Sequence, residues 1–223
     1  MRHFIGLLLV LVFFSSQSQN TEFSRPDLPG EFMVDVGINV WSEVPDTLDR
    51  KGFASKSIGI YYAKRYRINN KLSFYPGIGL GLEKMGFKSS ITFMDSLSFI
   101  TRLPYTGITK NKLAITYLDV PVDFRFHPNG TQDGEGFFVG IGGIFGLRMS
   151  AHTKWKYDEG DGNKKLKETG KFNLNSIRYG YQVRVGFKGV HAFYKRYVSE
   201  TFKSPIDGAN PVTTTIGINF TGF

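Results

Sequence analysis

The sequence predicts an all-β fold: an eight-stranded antiparallel transmembrane up-and-down β-barrel, with periplasmic termini and a polar, plugged interior. Three observations carry this expectation. In segment 177–188 (I-R-Y-G-Y-Q-V-R-V-G-F-K), Ile177, Tyr179, Tyr181, Val183, Val185 and Phe187 alternate with Arg178, Gly180, Gln182, Arg184, Gly186 and Lys188. Successive side chains leave a strand on opposite faces, so this is one strand with an apolar face and a face of cations, amide and glycine. The same two-faced pattern recurs along the chain. Finally, the connections alternate between long and short, as they do in outer-membrane barrels with long outer loops and short periplasmic turns. Glycines and long cations on one face suit a narrow, wet interior, which leaves the apolar face to lipid.

The amino-terminal segment reads as a secretory signal. Arg2 and His3 precede an apolar run over 4–14, and Ser16-Gln17-Ser18 supplies small residues for cleavage before about Gln19. The domain organisation expected is a signal peptide (1–18), a polar periplasmic arm (19–30) and an outer-membrane barrel (31–223). The chain is therefore expected to be exported, to the outer membrane of a bacterium. No apolar run beyond this segment is long enough for a spanning helix, which excludes a polytopic helical protein. The 223 residues include no cysteine, so disulfides, thiol-ligated metals and an amino-terminal lipid anchor are excluded. The formal charge of +9 does not imply nucleic acid, because no basic helix or RNA-binding signature accompanies it.

The first predicted strand, 31–41, turns Phe32, Val34, Val36, Ile38 and Val40 outward and Met33, Asp35, Gly37, Asn39 and Trp41 inward. The second, 55–67, has Ile58, Ile60, Tyr62 and Tyr66 outside and Gly59, Tyr61, Ala63, Arg65 and Arg67 inside; Lys64 interrupts the outer face where it can snorkel. Asn69-Asn70 predicts a tight turn. The third, 71–86, presents Leu72, Phe74, Pro76, Ile78, Leu80 and Leu82 outward, and Pro76 predicts a bulge because it cannot donate to a ladder. A long connection with strand-like pieces, 87–111, follows, and the strands flanking it are expected to project beyond the membrane. The fourth strand, 112–126, carries Asp119, Asp123 and Arg125 inward, and 127–136 is a turn. The fifth starts at Phe137, carries Gly140, Gly142, Gly146 and Arg148 inward, and is read as able to run to Trp155. A charged loop is expected over 156–171. The sixth is the strand described first, and Gly189 turns the chain into the seventh, 190–198, whose inner face reads as His191, Phe193 and Tyr197. A loop over 200–211 leads to the eighth, 212–220.

Under this topology, the outward residues nearest the periplasmic strand ends are Phe32, Tyr66, Phe74, Phe126, Phe137, Phe187 and Phe220. Aromatics collected at one rim form an interfacial girdle, which a soluble barrel would have no reason to build. The rival, a lipocalin-type barrel with the apolar face inward, fits poorly with a polar face of glycines and paired charges.

With the strands placed, the chain resembles the small outer-membrane β-barrel proteins of Bacteroidota, the PorT-like porin family. The resemblance lies in Y-P-G-I-G-L-G-L at 75–82, Y-L-D-V-P-V-D-F-R-F at 117–126, F-V-G-I-G-G-I-F-G at 138–146, the signal peptide followed by Gln19, and the terminal Phe223. It covers most of the mature chain and rests on structural motifs. It implies a barrel in the outer membrane, inserted by the barrel-assembly machinery, with no agreed activity; some relatives look like accessory parts of the type IX secretion machinery. Phe220 and Phe223 are out of alternation, so a slip is expected near Gly222.

The candidate site is an interior charge network: Asp35, Arg65, Glu83, Asp119, Asp123, Arg125, Arg148, Arg178, Arg184 and Lys188. Buried charges must pair or be hydrated, and an eight-stranded lumen is only wide enough for side chains to fill. Asp119 and Asp123 are expected to meet the arginines of the fifth and sixth strands. A cation-lined pore preferring anions is the alternative to this plug. A lipid-modifying enzyme is a weaker one, with His152 beside Ser150 as its best candidate and no catalytic residue assigned. No histidine pair has metal-ligand spacing, and Asp158, Glu159 and Asp161 lie among lysines, so neither metal nor cofactor is expected. The functional expectation is a non-enzymatic barrel, structural or docking within an envelope or secretion complex. Its expected partners are outer-membrane lipid and other envelope or secretion proteins. The loops over 87–111 and 153–173 would make the contacts, with Trp155 and Tyr157 as possible anchors or, equally, outer-girdle residues.

Overall fold

Strands this long, apolar on one face and polar on the other, leave both a backbone edge and a greasy face to be covered. Closing the sheet into a barrel removes the edges, and only the outer face remains for the surroundings to cover. The computed structural model describes residues 30–44, 48, 54–88, 91–93, 100–102, 108–131, 133–159, 162–206 and 208–222. The expected signal peptide, its cleavage site, most of the arm and Phe223 lie outside these residues.

The elements in chain order are β1 (Glu31–Ser42), β2 (Lys56–Ala63), β3 (Tyr66–Arg67), β4 (Leu72–Phe87), β5 (Ile91–Phe93), β6 (Ile100–Arg102), β7 (Ile108–Phe126), β8 (Phe137–Glu159), β9 (Gly162–Thr169), β10 (Ile177–Phe187), β11 (Val190–Tyr197) and β12 (Val212–Thr221). Each barrel strand pairs antiparallel with the next: β1 with β2, β2 with β4, β4 with β7, β7 with β8, β8 with β10, β10 with β11 and β11 with β12. The pairing of β12 with β1, Phe220 opposite Val34 and Ile216 opposite Ile38, closes the ring of eight.

Three local features differ from the expectation. Pro76 makes no bulge: β4 holds one register against β7 on both sides of it. Its missing N–H breaks the neighbouring strand instead. Lys64 donates to the Pro76 carbonyl at 3.0 Å but finds no donor in return, and β2 and β3 are separate strands on either side. A bulge lies in β8, where the pairing with β7 slips between Thr116 and Tyr117 and leaves Met149 as the extra residue, and a second shift falls between Ile108 and Lys110. The segment 156–171 is not a loop, because β9 folds back on β8 from His152 opposite Thr169 to Glu159 opposite Gly162. The long 87–111 connection carries the strand-like pieces expected of it, and β5 and β6 pair there as a small two-stranded sheet.

The barrel is lopsided. β4, β7 and β8 run for 16, 19 and 23 residues, while β2 and β11 have 8 each. The long strands make a wall, with β9 at its edge, that rises beyond the apolar band at the end away from the termini. Outward residues of that band are widely exposed, for example Ile141 at 66%, Ile216 at 58% and Leu80 at 54%. An unbroken apolar belt of this extent is far larger than the patches soluble monomers expose. Near the terminal end, the outer face carries the expected aromatics. Tyr66 is paired with Phe74 and Phe137 with Phe187, while Phe32 sits edge-on to Tyr62 at 5.5 Å. At the carboxy end β12 stays in register to Thr221, and Gly222 leaves the strand with φ 95°, a conformation L side chains rarely adopt.

Candidate functional site

Chemistry in this chain is concentrated in the lumen, where the polar face of every strand points. Two guanidinium groups from β10 organise it. Arg178 and Arg184 are six residues apart on one strand, so their side chains enter on the same face at different heights. Both are fully desolvated or nearly so: Arg178 is 6% exposed and Arg184 0%.

Arg178 bridges two acids. Its Nη1 donates to Glu83 Oε1 at 2.5 Å, and its Nη2 donates to Asp119 Oδ2 at 2.7 Å and Oδ1 at 3.0 Å. The planar cation is held between the Tyr117 and Tyr197 rings, at 3.6 and 4.3 Å from their centroids. The β-carbon of a larger residue at Gly81 or Gly146 would collide with the Asp119 carboxylate and the Arg178 guanidinium. This is the local reason for glycine at those two positions: the ion pair takes the space.

Arg184 grips Asp35 with both nitrogens, Nη1 to Oδ1 at 3.1 Å and Nη2 to Oδ2 at 3.0 Å, and its Nε stands 3.0 Å from Asp123 Oδ2. Gln182 ties Asp123 to the guanidinium, donating to Asp123 Oδ1 at 2.6 Å and accepting from Arg184 Nη2 at 3.3 Å. Asp35 also receives Lys195 Nζ at 2.6 Å and Asn219 Nδ2 at 2.5 Å. His191 Nε2 lies 3.2 Å from Arg184 Nη1.

One hydroxyl joins the two clusters. Tyr61 Oη accepts from Lys195 Nζ and donates to Asp119 Oδ2, both at 3.2 Å. The connected path therefore runs Glu83–Arg178–Asp119–Tyr61–Lys195–Asp35–Arg184–Asp123. Among the described residues, the buried acids are Asp35, Glu83, Asp119 and Asp123 and the buried cations are Arg125, Arg178, Arg184 and Lys195, so the charges balance. Arg125 is placed differently. Its guanidinium lies over the rings of Tyr75 at 3.9 Å and Phe138 at 4.6 Å, on the terminal side of the network.

Of the ten interior charges expected, six therefore meet in the network: Asp35, Glu83, Asp119, Asp123, Arg178 and Arg184. Both Asp119 and Asp123 meet arginines of β10 alone, and Arg148 of β8 does not join them. Just below the Met149 bulge, it turns its Nη1 to the Lys171 carbonyl at 2.8 Å. Lys188 pairs with Glu31 at 3.4 Å at the terminal rim, half-exposed, and Arg65 donates to Ser73 Oγ at 3.1 Å near the same mouth. Lys188 and Arg65 sit at the terminal rim, where water reaches side chains, and Arg148 lies beside the bulge of β8, turned away from Asp119 and Asp123. Lys195 is the residue that the sequence expectation passed over. Its parity with His191, Phe193 and Tyr197 on β11 was the available signal.

Beyond Arg178, toward the loop end, the lumen changes character and becomes mostly apolar. Trp41, Met85, Phe87, Leu113 and Ile115 project inward, and Leu48, Phe93, Phe172, Phe202 and Ile206 fold over them from the connections. Trp41 sits 5.9 Å from both Phe87 and Phe202, and its indole N–H is satisfied by Thr213 Oγ1 at 3.0 Å. A polar interior was expected throughout, but the upper third is an aromatic core. Trp155 and Tyr157, expected as exposed anchors or girdle residues, are 7% and 6% exposed and pack with Ile108. The extra residue at Met149 reverses the parity of β8, which turns both of them inward. His152 consequently lies on the outward face, between Ala114 of β7 and Thr169 of β9. Among the described residues, no three His, Asp or Glu side chains converge as metal ligands.

The family of the outer membrane protein beta-barrel domain matches residues 13–198. Among solved structures, Ail, the attachment invasion locus protein of Yersinia pestis, in complex with the heparin analogue sucrose octasulfate, is 14% identical with a TM-score of 0.36, over 87% of this chain and 100% of that one. Ail in a phospholipid bilayer nanodisc is 17% identical with a TM-score of 0.33, over 86% and 99%. A triple-mutant porin of Rhodopseudomonas blastica is 9% identical with a TM-score of 0.20, over 86% and 99%. No curated protein matches the chain.

Proposed function

We propose, starting from a chain that belongs to the outer membrane protein beta-barrel domain family, that this outer-membrane barrel is a closed, non-enzymatic docking component of an envelope or secretion complex. The observation that carries the reading is the filled lumen. The ion network occupies its middle and the aromatic core its loop end. A solute path would have to displace paired ions and close-packed rings together. What remains free to act is the outside: the loop end, the tall wall and the lipid-facing belt. The narrower kinship with PorT-like barrels of Bacteroidota belongs to the same proposal and rests on the strand motifs at 75–82, 117–126 and 138–146.

In this reading the loop end faces outward and both termini face the periplasm. The chain lacks cysteine, so single cysteines report sidedness cleanly. Gly162→Cys at the tip of the β8–β9 hairpin is expected to react with an impermeant maleimide on whole cells, and Gly130→Cys in the short turn to remain protected. The function itself is tested by purifying the barrel from native outer membranes in mild detergent. Partners in stoichiometric amounts, with electrical silence of the purified barrel in planar bilayers, are the expected result. A lone monomer with steady conductance, lowered in Arg178→Gln or Arg184→Gln, would replace this reading with a small anion-preferring pore.

A further inference from the structure

The tall wall carries a second, unassigned feature on its outer face. Where the apolar band ends, the outward positions become lysine on one strand after another. Lys56 of β2 stands opposite Lys84 of β4. One step further out, Lys112 of β7 is opposite Lys154 of β8, and Lys154 is opposite Lys167 of β9. One step beyond, Lys110 is opposite Lys156, which is opposite Lys165. Like charges directly across a ladder destabilise a sheet. Lys112 feels the charges of Lys84, Lys110 and Lys154, and His152 those of Lys84, Lys112, Lys154 and Lys167. Among the described residues, no carboxylate pairs with any of these eight ammonium groups. Among the described residues this repulsion is uncompensated, which leaves the face open to an anionic partner.

We infer that this lysine face binds the phosphate groups of an anionic glycolipid of the outer leaflet, of lipid A chemistry. Position selects the occupant. The lysines continue the same outward face as the lipid-contacting residues, with Ile58 and Leu82 one step below Lys56 and Lys84. That places the first ammonium groups beside the headgroups, where long lysine stems lie along apolar surface and the charge reaches phosphate. An acyl chain has a seat as well. An apolar groove of about 530 Å³ runs over Val36, Ile38, Ile216, Ile218 and Phe220 in the outer wall, and Lys56 borders it. Ile38 is the direct ladder partner of Lys56, so groove and lysine face are continuous. The inference rests on the outward orientation of the loop end proposed above.

The test uses the barrel purified from outer membranes, delipidated, and titrated by native mass spectrometry with three probes: bisphosphorylated lipid A, dephosphorylated lipid A and inorganic phosphate. The expected result is retention of bisphosphorylated lipid A alone. Affinity should drop at least tenfold in Lys84→Gln/Lys112→Gln/Lys154→Gln/Lys156→Gln, and fall with added salt. Lys64→Gln, near the opposite rim, serves as the control and should bind as wild type. Heat-modifiable migration on gels shows that each variant is folded. Equal binding of the dephosphorylated lipid, unchanged affinity in the quadruple variant, or saturation by inorganic phosphate alone would each overturn the inference. If Gly162→Cys were labelled only from the periplasm, the orientation would fall and the outer-leaflet assignment with it, a failure separate from any loss of lipid affinity.

Discussion

The middle and the loop end of the lumen fill the same narrow space by opposite means. At mid-height, around Arg178 and Arg184, side chains from facing strands meet as ions, with glycines at Gly81 and Gly146 clearing room. At the loop end, Trp41, Phe87 and Leu113 meet rings delivered by the connections, and almost nothing is charged. The difference teaches where tolerance resides. A buried ion pair is held by the cost of leaving either partner alone, so it fails abruptly when one partner is lost. An apolar layer is held by contact area, so its losses scale with the volume removed.

The largest expected effect breaks the ion layer. Arg178→Met strands Glu83 and Asp119 without a cation, and the expected loss is about 3–5 kcal/mol, read as urea unfolding of the detergent-folded barrel. The concerted Arg178→Met/Glu83→Gln/Asp119→Asn should recover most of that. If the single change cost no more than the triple, the abrupt character of this layer would be refuted.

The loop-end layer gives the contrasting series. Phe202→Ala removes a ring packed against Trp41 and Phe93 and should cost about 3 kcal/mol. Phe202→Leu, which keeps most of the volume, should cost less than about 1.5 kcal/mol. A smaller effect sharpens the boundary between the layers. Gly81→Ala adds one carbon against the Asp119 carboxylate and should cost about 2 kcal/mol, while Gly162→Ala, with nothing near its β-carbon, should be silent in the same unfolding assay.

Much of this contrast was readable in the chain, and the part that was not has a physical reason. Period-two alternation placed Asp35, Asp119, Arg178 and Arg184 on the inner face, because parity alone decides which way a strand residue points. The same parity contained Lys195, which the three apolar or aromatic neighbours on its face obscured. Parity failed at Trp155 and Tyr157 because one bulged residue, Met149, reverses it, and nothing about a methionine in a strand announces a bulge. The aromatic cap was unreadable for another reason. Phe172, Phe202 and Ile206 come from connections, and which loop residues fold over a mouth depends on strand lengths, not on local pattern. Pro76 was read correctly as a defect and assigned the wrong consequence: the missing N–H interrupts the partner strand while the proline's own strand keeps register.

The smallest expected effect asks whether the ion layer is one unit or two. Lys195→Met removes a cation from Asp35, but Arg184 still grips that carboxylate with two nitrogens and Asn219 still donates to it. The direct cost should therefore be about 1–2 kcal/mol, well below that of Arg178→Met. Tyr61 gives the residue its further interest. Its hydroxyl accepts from Lys195 and donates to Asp119, so losing the ammonium frees the phenol to turn and weakens its hold on the Arg178 cluster. Among the described residues Glu83 makes no hydrogen bond to Lys195 or Tyr61; it reaches them through Arg178 and Asp119. A double-mutant cycle between Lys195→Met and Glu83→Gln therefore reads transmission along the path. A coupling energy above about 0.5 kcal/mol would mean that the path acts as one cooperative network. Strict additivity would mean that Tyr61 merely separates two independent ion clusters that happen to share a lumen.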